Sequence, residues 1–314
     1  MTIQKYEDWM RPQVVALFDL EYGSGEAFGD LFRSFYEHPF QISRCIRIVA
    51  LEGERVAGFQ SFFYWPVVIQ GKEVKAYQSG NSLVHPDFRG KGLFGKMLNF
   101  IHEPDSGFDC ELLIGFPVEA SYNSFIRNKW INPFNLQWYI KPLNPVRSLL
   151  TDPAAKLRRA FGDRVKMDFH AHTGHVHVAQ LAAFDHYRFG YEKGEFYRFN
   201  FEKNEYRAFF EMKFQVRKKV IKELVIGKFL VNTDDPQFMR ESISALLKAV
   251  RRAAGFSFVS VAVNPLTQPL VESLEACGFR KINKSIYFIA KGELASSVND
   301  WSNWWMFRSD IDTW

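Results

Sequence analysis

A chain of 314 residues, 47% hydrophobic and 24% charged, carries enough apolar material for two cores of ordinary domain size, which excludes a largely disordered protein. Its net charge of +5 is spread along the sequence, apart from short basic clusters at Arg217 to Lys222 and Lys248 to Arg252; this suits a small anionic ligand and argues against a nucleic-acid partner. Cys45, Cys110 and Cys277 stand far apart in or beside apolar runs, the pattern of buried thiols and not of a disulfide framework. The N-terminal MTIQKYEDWMRPQVV has no signal-type apolar core and no run is long enough to span a bilayer, so a cytoplasmic location is expected.

From Cys45 to Val84 the sequence predicts successive strands, CIRIVAL, RVAGFQSFFYW, VVIQ and VKAYQSGNSLV, separated by the turn signals EGE and QGK: an antiparallel meander. HPDFRGKG follows, then LFGKMLNFIHE, in which Leu93, Phe94, Met97, Leu98 and Ile101 recur at helical spacing. ELLIGF predicts a short buried strand, EASYNSFIRNKW a short helix and LQWYIKPL a closing strand. Pro142, Pro145 and Pro153 mark a connection whose VRSLL and AAKLRRAF look helical, so one domain is expected at 1–145 and a second at 146–314. In the second, YRAFFEMKF, KKVIKELVIGKFLV, FSFVSVAVN and KSIYFIAK predict strands, and PQFMRESISALLKAVRRAAG and PLVESLEACGF helices. ELLIGFPVEASYNSFIRNKW and FVSVAVNPLTQPLVESLEACGF echo one another, which predicts two copies of one fold.

The stretch GKGLFGKM, Gly90 to Met97, fits three phosphate-binding patterns. A nucleotide-hydrolysing loop needs a hydroxyl after its lysine to reach magnesium, and Met97 stands there. A dinucleotide fold needs its glycines directly after the first strand and an acid at the far end of the next; HPDFR intervenes, and Asp109 and Glu111 come at the beginning of that strand.

The third pattern agrees with its surroundings. A strand ending NSLV, then HPDFRGKGLFGKML, then an amphipathic helix, resembles the R-x-x-G-x-G/A pyrophosphate segment of the GNAT superfamily of acyl-CoA N-acyltransferases. Glycines there let successive backbone N–H groups converge on a pyrophosphate, and the following helix N-terminus adds its positive end. The resemblance implies a mixed α/β fold of two tandem GNAT-like domains, each a mostly antiparallel mixed sheet flanked by helices. It implies acetyl-CoA as co-substrate, held by Arg89, Gly90, Lys91, Gly92, Leu93, Phe94, Gly95 and Lys96, with the thioester carbonyl polarised by a backbone N–H at Leu83 or Val84. The sixth position of the motif is Phe94, with glycine one place later. FPVEASYNSFIRNKW is similar to the later segment ending Y-x-x-x-G-[FW], but Phe125 stands where many members carry a tyrosine acid and Lys129 where they carry glycine. In the second half NTDDPQFMRES has no glycine, and Asp234 and Asp235 would repel a pyrophosphate, so one donor site is expected, in the first half.

Acyl transfer to an amine needs a deprotonated amine, a polarised carbonyl and a proton for the departing thiolate. The strand YQSGNS holds no carboxylate. Base candidates are therefore Glu111, Glu119, His85, or water relayed by Asn81 and Ser82, and the acid candidates are Ser121 and Tyr122. HAHTGHVH, His170 to His177, invites a metal reading, but only Asp168 stands near to complete a ligand set and the chemistry needs no metal, so none is expected. The tail DWSNWWMFRSDIDTW offers Asp310 and Asp312 to hold an acceptor, with Trp304 or Trp305 as a stacking wall. The function expected is N-acetyl transfer to the amine of a small metabolite such as an amino sugar. The alternatives are a non-catalytic acyl-CoA-binding or scaffold protein, and a tRNA-dependent aminoacyl ligase of tandem architecture, which would show a salt-sensitive complex with tRNA.

Overall fold

Strand-forming runs rich in β-branched and aromatic residues build the central sheet of this chain. The computed structural model describes residues 1–23, 26–144, 161, 171, 174–191, 195–253 and 255–312. The expected helices at VRSLL and AAKLRRAF fall almost wholly outside them. The first half contributes β1 (Thr2–Lys5), β2 (Ile46–Glu52), β3 (Arg55–Tyr64), β6 (Ala76–Val84), β7 (Leu112–Gly115) and β8 (Ile131–Pro142). The second contributes β10 (Glu195–Lys203), β11 (Tyr206–Arg217), β12 (Ile221–Val231), β13 (Phe258–Val263) and β14 (Arg280–Lys291). All eleven form one sheet, in the order β1-β2-β3-β6-β7-β14-β8-β13-β12-β11-β10.

That order contains an exchange. β14 lies between β7 and β8, antiparallel to both, and β8 lies between β14 and β13. The closing strand of each half thus pairs beside the other half's parallel strand, and the two halves share one hydrogen-bonded sheet. The expected meander is corrected at one point: β4 (Val67–Ile69) and β5 (Lys72–Val74) leave the main sheet and form a small one with β9 (His177–Val178). Pro66, which cannot donate to a ladder, precedes β4.

Two N-terminal helices unannounced by the predicted elements, α1 (Arg11–Tyr22) and α2 (Glu26–Tyr36), cover one face of the first half; Val14, Phe18, Phe32 and Tyr36 pack there with Phe59, Leu83, Leu112 and Ile114. α3 (Leu93–Phe100) and α4 (Glu119–Arg127) cover the opposite face, over Phe62, Leu113 and Ile289. In the second half α6 (Pro236–Ala253) and α7 (Gln268–Ala276) pack on β11 to β13, while α5 (Ala182–Tyr191) reaches back to stack Phe184 and Tyr187 on Phe40. The chain closes with a short α8 (Glu293–Ser297) and the Trp-rich tail.

The tail is internal. β12 and β13 are parallel and pair only from Glu223 with Phe258 to Ile226 with Val261. Beyond that they part, and the tail enters the gap: Phe307 bridges to Val263, the Asn264 N–H donates to the Met306 carbonyl at 3.3 Å, and the Trp305 indole N–H donates to the Phe229 carbonyl at 2.5 Å. Trp304 and Trp305 are 1% and 2% exposed.

Candidate functional site

In the first half no strand among the described residues pairs into the corresponding gap. β6 and β7 pair in parallel through Ala76 with Leu112, Tyr77 with Leu113 and Gln78 with Ile114, and no further. β7 stops at Gly115 whereas β6 continues to Val84, so among the described residues the edge of β6 from Ser79 onward has no strand partner on that side. A bulge sits where the strands part. Between Gln60 and Phe62 of β3 the partners move from Ser82 to Ser79, leaving an extra residue in β6 at Gly80–Asn81. Glycine is needed at that point because a Cβ on Gly80 would lie 2.3 Å from the Phe63 ring.

Hydrogen-bond direction selects between Leu83 and Val84. Val84 faces Gly58, and the His85 N–H donates to the Ala57 carbonyl at 2.9 Å. Gly58 and Val84 are therefore a non-hydrogen-bonded antiparallel pair, whose own N–H and C=O groups point away from the partner strand. Val84, and by alternation Ser82, direct their N–H groups away from β3, toward the unpaired edge, whereas the Leu83 N–H belongs to the ladder with Phe59. The Val84 carbonyl accepts from Arg89 Nε at 3.2 Å.

The predicted loop follows directly. Gly90 and Gly92 have φ of 77° and 71°, left-handed values that glycine adopts freely, and a side chain at either would meet nothing within 4 Å. Gly92 is the N-cap of α3 and brings no capping side chain, so the first N–H groups of that helix are open to an anion. Leu93 is buried and Phe94 packs edge-on to Phe125 at 5.2 Å, which is how the motif's bulky sixth position is accommodated. Three members of the expected donor set stand apart. Gly95 serves the α3–α4 contact, since a Cβ there would lie 2.9 Å from Asn128 Oδ1. Arg89 is engaged with Glu21 of α1 at 2.5 Å, and Lys91 lies over the Phe88 ring at 4.9 Å. Lys96 is exposed.

On the opposite face of the sheet, at the same parting of strands, lies a polar cluster. Asn81 Nδ2 donates at 2.8 Å to the hydroxyl of the buried Tyr36, which also bonds Ser61 Oγ at 3.0 Å. Gln60 links Ser82 and Ser79. The Asp312 carboxyl approaches from the tail, beside Gln78, Arg188 of α5 and Arg308; burial pushes its pKa up to about 6 against the pull of the two guanidiniums.

Other candidates lie elsewhere, for visible reasons. Glu111 precedes β7 and accepts the Lys75 N–H at 2.7 Å, so it sits at the beginning of the parallel pair, with the four residues of β7, about 13 Å, separating it from the gap. Glu119 is exposed in the first turn of α4, complementing the helix dipole. Ser121 Oγ donates to the Val118 carbonyl at 3.1 Å. Tyr122 stacks on Tyr287 with centroids 4.3 Å apart and donates to Asn132 at 3.2 Å. His85 is turned to Arg55, 3.0 Å away, and accepts the Asp87 N–H. Asp310 is fully buried against Lys228 at 3.1 Å, and the two tryptophans are core, so neither the acceptor role expected of Asp310 nor the stacking wall is formed.

The histidine-rich stretch falls only in part within the described residues. His170 and His172 fall outside the described residues; His175 stacks on Trp305 at 4.1 Å and bonds Asp234 at 2.7 Å, and His177 is held by the His175 carbonyl. Asp235 accepts the Gln237 N–H, so α6 begins on its own carboxylate. Among the described residues no group of three or more His, Cys, Asp or Glu is placed to hold a metal, and no helix is long and apolar enough to cross a membrane.

No protein-family model and no curated protein sequence matches this chain. Solved structures do. A GCN5-related N-acetyltransferase from Anabaena variabilis superimposes with a TM-score of 0.61 at 10% identity, over 92% of this chain and 72% of that one. Another from Kribbella flavida gives 0.55 at 12% identity, over 94% and 72%. A conserved protein of unknown function from Enterococcus faecalis, described as a probable N-acyltransferase, gives 0.54 at 11% identity, over 93% and 73%. The strand order, the parting of β6 from β7 and these likenesses lead to one conclusion: the chain has the GNAT acyltransferase fold.

Proposed function

We propose that the protein is an acyl-CoA N-acyltransferase that moves an acetyl group from acetyl-CoA to the amine of a small metabolite. The observation that carries this reading is the open parting of β6 and β7, with the Val84 N–H on its free edge and the Gly90–Gly92 turn opening α3 beside it. A pyrophosphate at the turn and α3 N-terminus would let the pantetheine run along β6 as an added strand, and the thioester carbonyl would meet the Val84 N–H. The equivalent gap in the second half is filled by the tail and its helix is capped by Asp235, which supports a single donor site. With Phe125 offering no hydroxyl, the thiolate would be protonated by the amine's second proton or by water. The acceptor would approach from the face of Tyr36 and Asn81. Its identity as an amino sugar has lost its main support, because Trp304 and Trp305 are core.

Calorimetry with acetyl-CoA tests this, on the intact chain and on Gly92→Asp. The new side chain enters open space, at the cost of some strain at the left-handed φ of 71° that aspartate adopts more readily than most residues, and its charge displaces the pyrophosphate. Binding weakened more than about tenfold by the substitution is expected; no binding by the intact chain would overturn the reading.

A further inference from the structure

The strands that border the donor's gap bring no carboxylate to it: β6 supplies Gln78, Ser79, Asn81 and Ser82, and Glu111 lies at the wrong end of β7. The tail brings one in. Between the closed gap and the open one it is fixed at every step. Trp305 and Phe307 are bonded to β12 and β13, Asp310 is ion-paired with Lys228, the Asp310 carbonyl accepts from Trp65 Nε1 at 3.0 Å and the Ile311 carbonyl from Arg188 Nη2 at 3.0 Å. The next residue is Asp312, beside Gln78, the last residue of β6 that is paired with β7.

The two sides of the sheet divide the labour. Ala76 and Leu83 pack with α1 and α2, whereas Tyr77 and Val84 pack with α3 and α4. The Gly90–Gly92 turn opens α3 on the second face. Asn81, Tyr36 and Asp312 are on the first, where a nucleophile must stand to reach a thioester lying in the parting.

We propose that the tail, anchored in the closed gap between β12 and β13, carries the Asp312 carboxylate to the open gap between β6 and β7 as the base that deprotonates the acceptor amine. The assignment rests on the acyltransferase reading and names the missing partner in it. The Asp312 carboxylate takes one proton from the acceptor ammonium. The freed nitrogen lone pair forms the C–N bond to the thioester carbon, and the oxyanion forms at the Val84 N–H. Its collapse breaks the C–S bond, the thiolate takes the second N–H proton directly or through water, and Asp312 returns its proton to solvent. Among the described residues, Arg308 of the tail, Arg188 of α5, Tyr36 of α2 and Gln78 of β6 act on the carboxylate and its titration. Its pKa of about 6 suits a base working near neutrality.

The test combines acetyl-CoA calorimetry with release of free CoA thiol in the presence of glucosamine, spermidine and tyramine, for the intact chain, Asp312→Asn and Asp312→Glu. Asp312→Asn keeps the shape and removes the charge. It is expected to bind acetyl-CoA as the intact chain does, to lose roughly 100-fold or more in kcat, and to lose the acid limb of the rate profile near pH 6, with part of the rate recovered by Asp312→Glu. Asp312→Asn turning over within about threefold of the intact chain with an unchanged pH profile would overturn the assignment and leave the acyltransferase reading intact. Acetyl-CoA bound but no thiol released with any amine would also overturn it while the donor site stands. Failure to bind acetyl-CoA would remove the reading itself and the assignment with it.

Discussion

Lys291, at the end of β14 in the second half, donates its ammonium to the Asn128 carbonyl at 3.1 Å, just past the C-terminus of α4 in the first half, and to Asn99 Oδ1 of α3 at 3.2 Å. One side chain thereby ties the exchanged strand to both helices that flank the candidate donor site. Burial and the neighbouring Lys129 lower its pKa, so the charge is held at some cost that its two acceptors offset. Replacing it with methionine, which fills similar space without donors, should lower stability by about 1–3 kcal/mol, read as the urea unfolding midpoint.

Lys129 itself adopts φ of 63°, in the left-handed region, at the position where the resembling segment carries glycine. Lys129→Gly should raise stability by about 1 kcal/mol, because the strain of a Cβ in that conformation outweighs the added freedom of the unfolded chain. A lower unfolding midpoint would contradict this.

Gly80→Ala should act in the opposite sense. The added methyl would meet the Phe63 ring at 2.3 Å and Ser61 Oγ at 2.9 Å, forcing the bulge of β6 to shift. A destabilisation of about 1–3 kcal/mol is expected, accompanied by weaker acetyl-CoA binding, since the same bulge orients the Val84 N–H. Unchanged calorimetry with the substituted chain would show that the bulge does not serve the donor.

The Asp312 carboxyl gives a pH dependence whose sign is fixed. Its pKa rises from an ordinary 3.8 to about 6 on folding, so the folded protein favours the protonated form. Its contribution is fully favourable below about pH 4 and is lost as pH rises through about 6. Asp312→Asn, which has no carboxylate to bury, should therefore gain stability relative to the parent between pH 4 and 7 and hold a constant lead above that. Parallel urea midpoints across that range would refute the shift.

Glu111→Gln should leave kcat unchanged within about twofold, since the carboxylate lies at the far end of β7 and only caps the Lys75 N–H. Stability would fall slightly, by about 1 kcal/mol, for the lost charge-assisted bond. A large loss of kcat at unaltered stability would return Glu111 to the catalytic candidates.

How much of this was legible before folding differs from one element to the next. Strands β2, β3, β6 to β8 and β11 to β14 and helices α3, α4, α6 and α7 were readable because each carries an apolar period of its own, whereas β1, β10, α1 and α2 went unread. The candidate donor turn was readable as a turn because left-handed backbone needs glycine, and Gly90 and Gly92 stand directly before an amphipathic helix. The choice of Val84 over Leu83 was not, since it depends on which edge of β6 is paired. Nor was the exchange of β8 and β14: period-two patterns state that a strand has a buried face, and say nothing of which neighbour it pairs with.

Residue type and spacing were thus enough for most of the elements and for the left-handed Gly90–Gly92 turn before α3, which depend on local backbone preference. The tertiary structure alone decided the chemistry around them. It turned Glu111 away from the gap, buried Asp310 against Lys228, made Trp304 and Trp305 core and brought Asp312 beside Gln78, because burial, ion pairing and side-chain direction are fixed by residues tens to hundreds of positions apart in the chain.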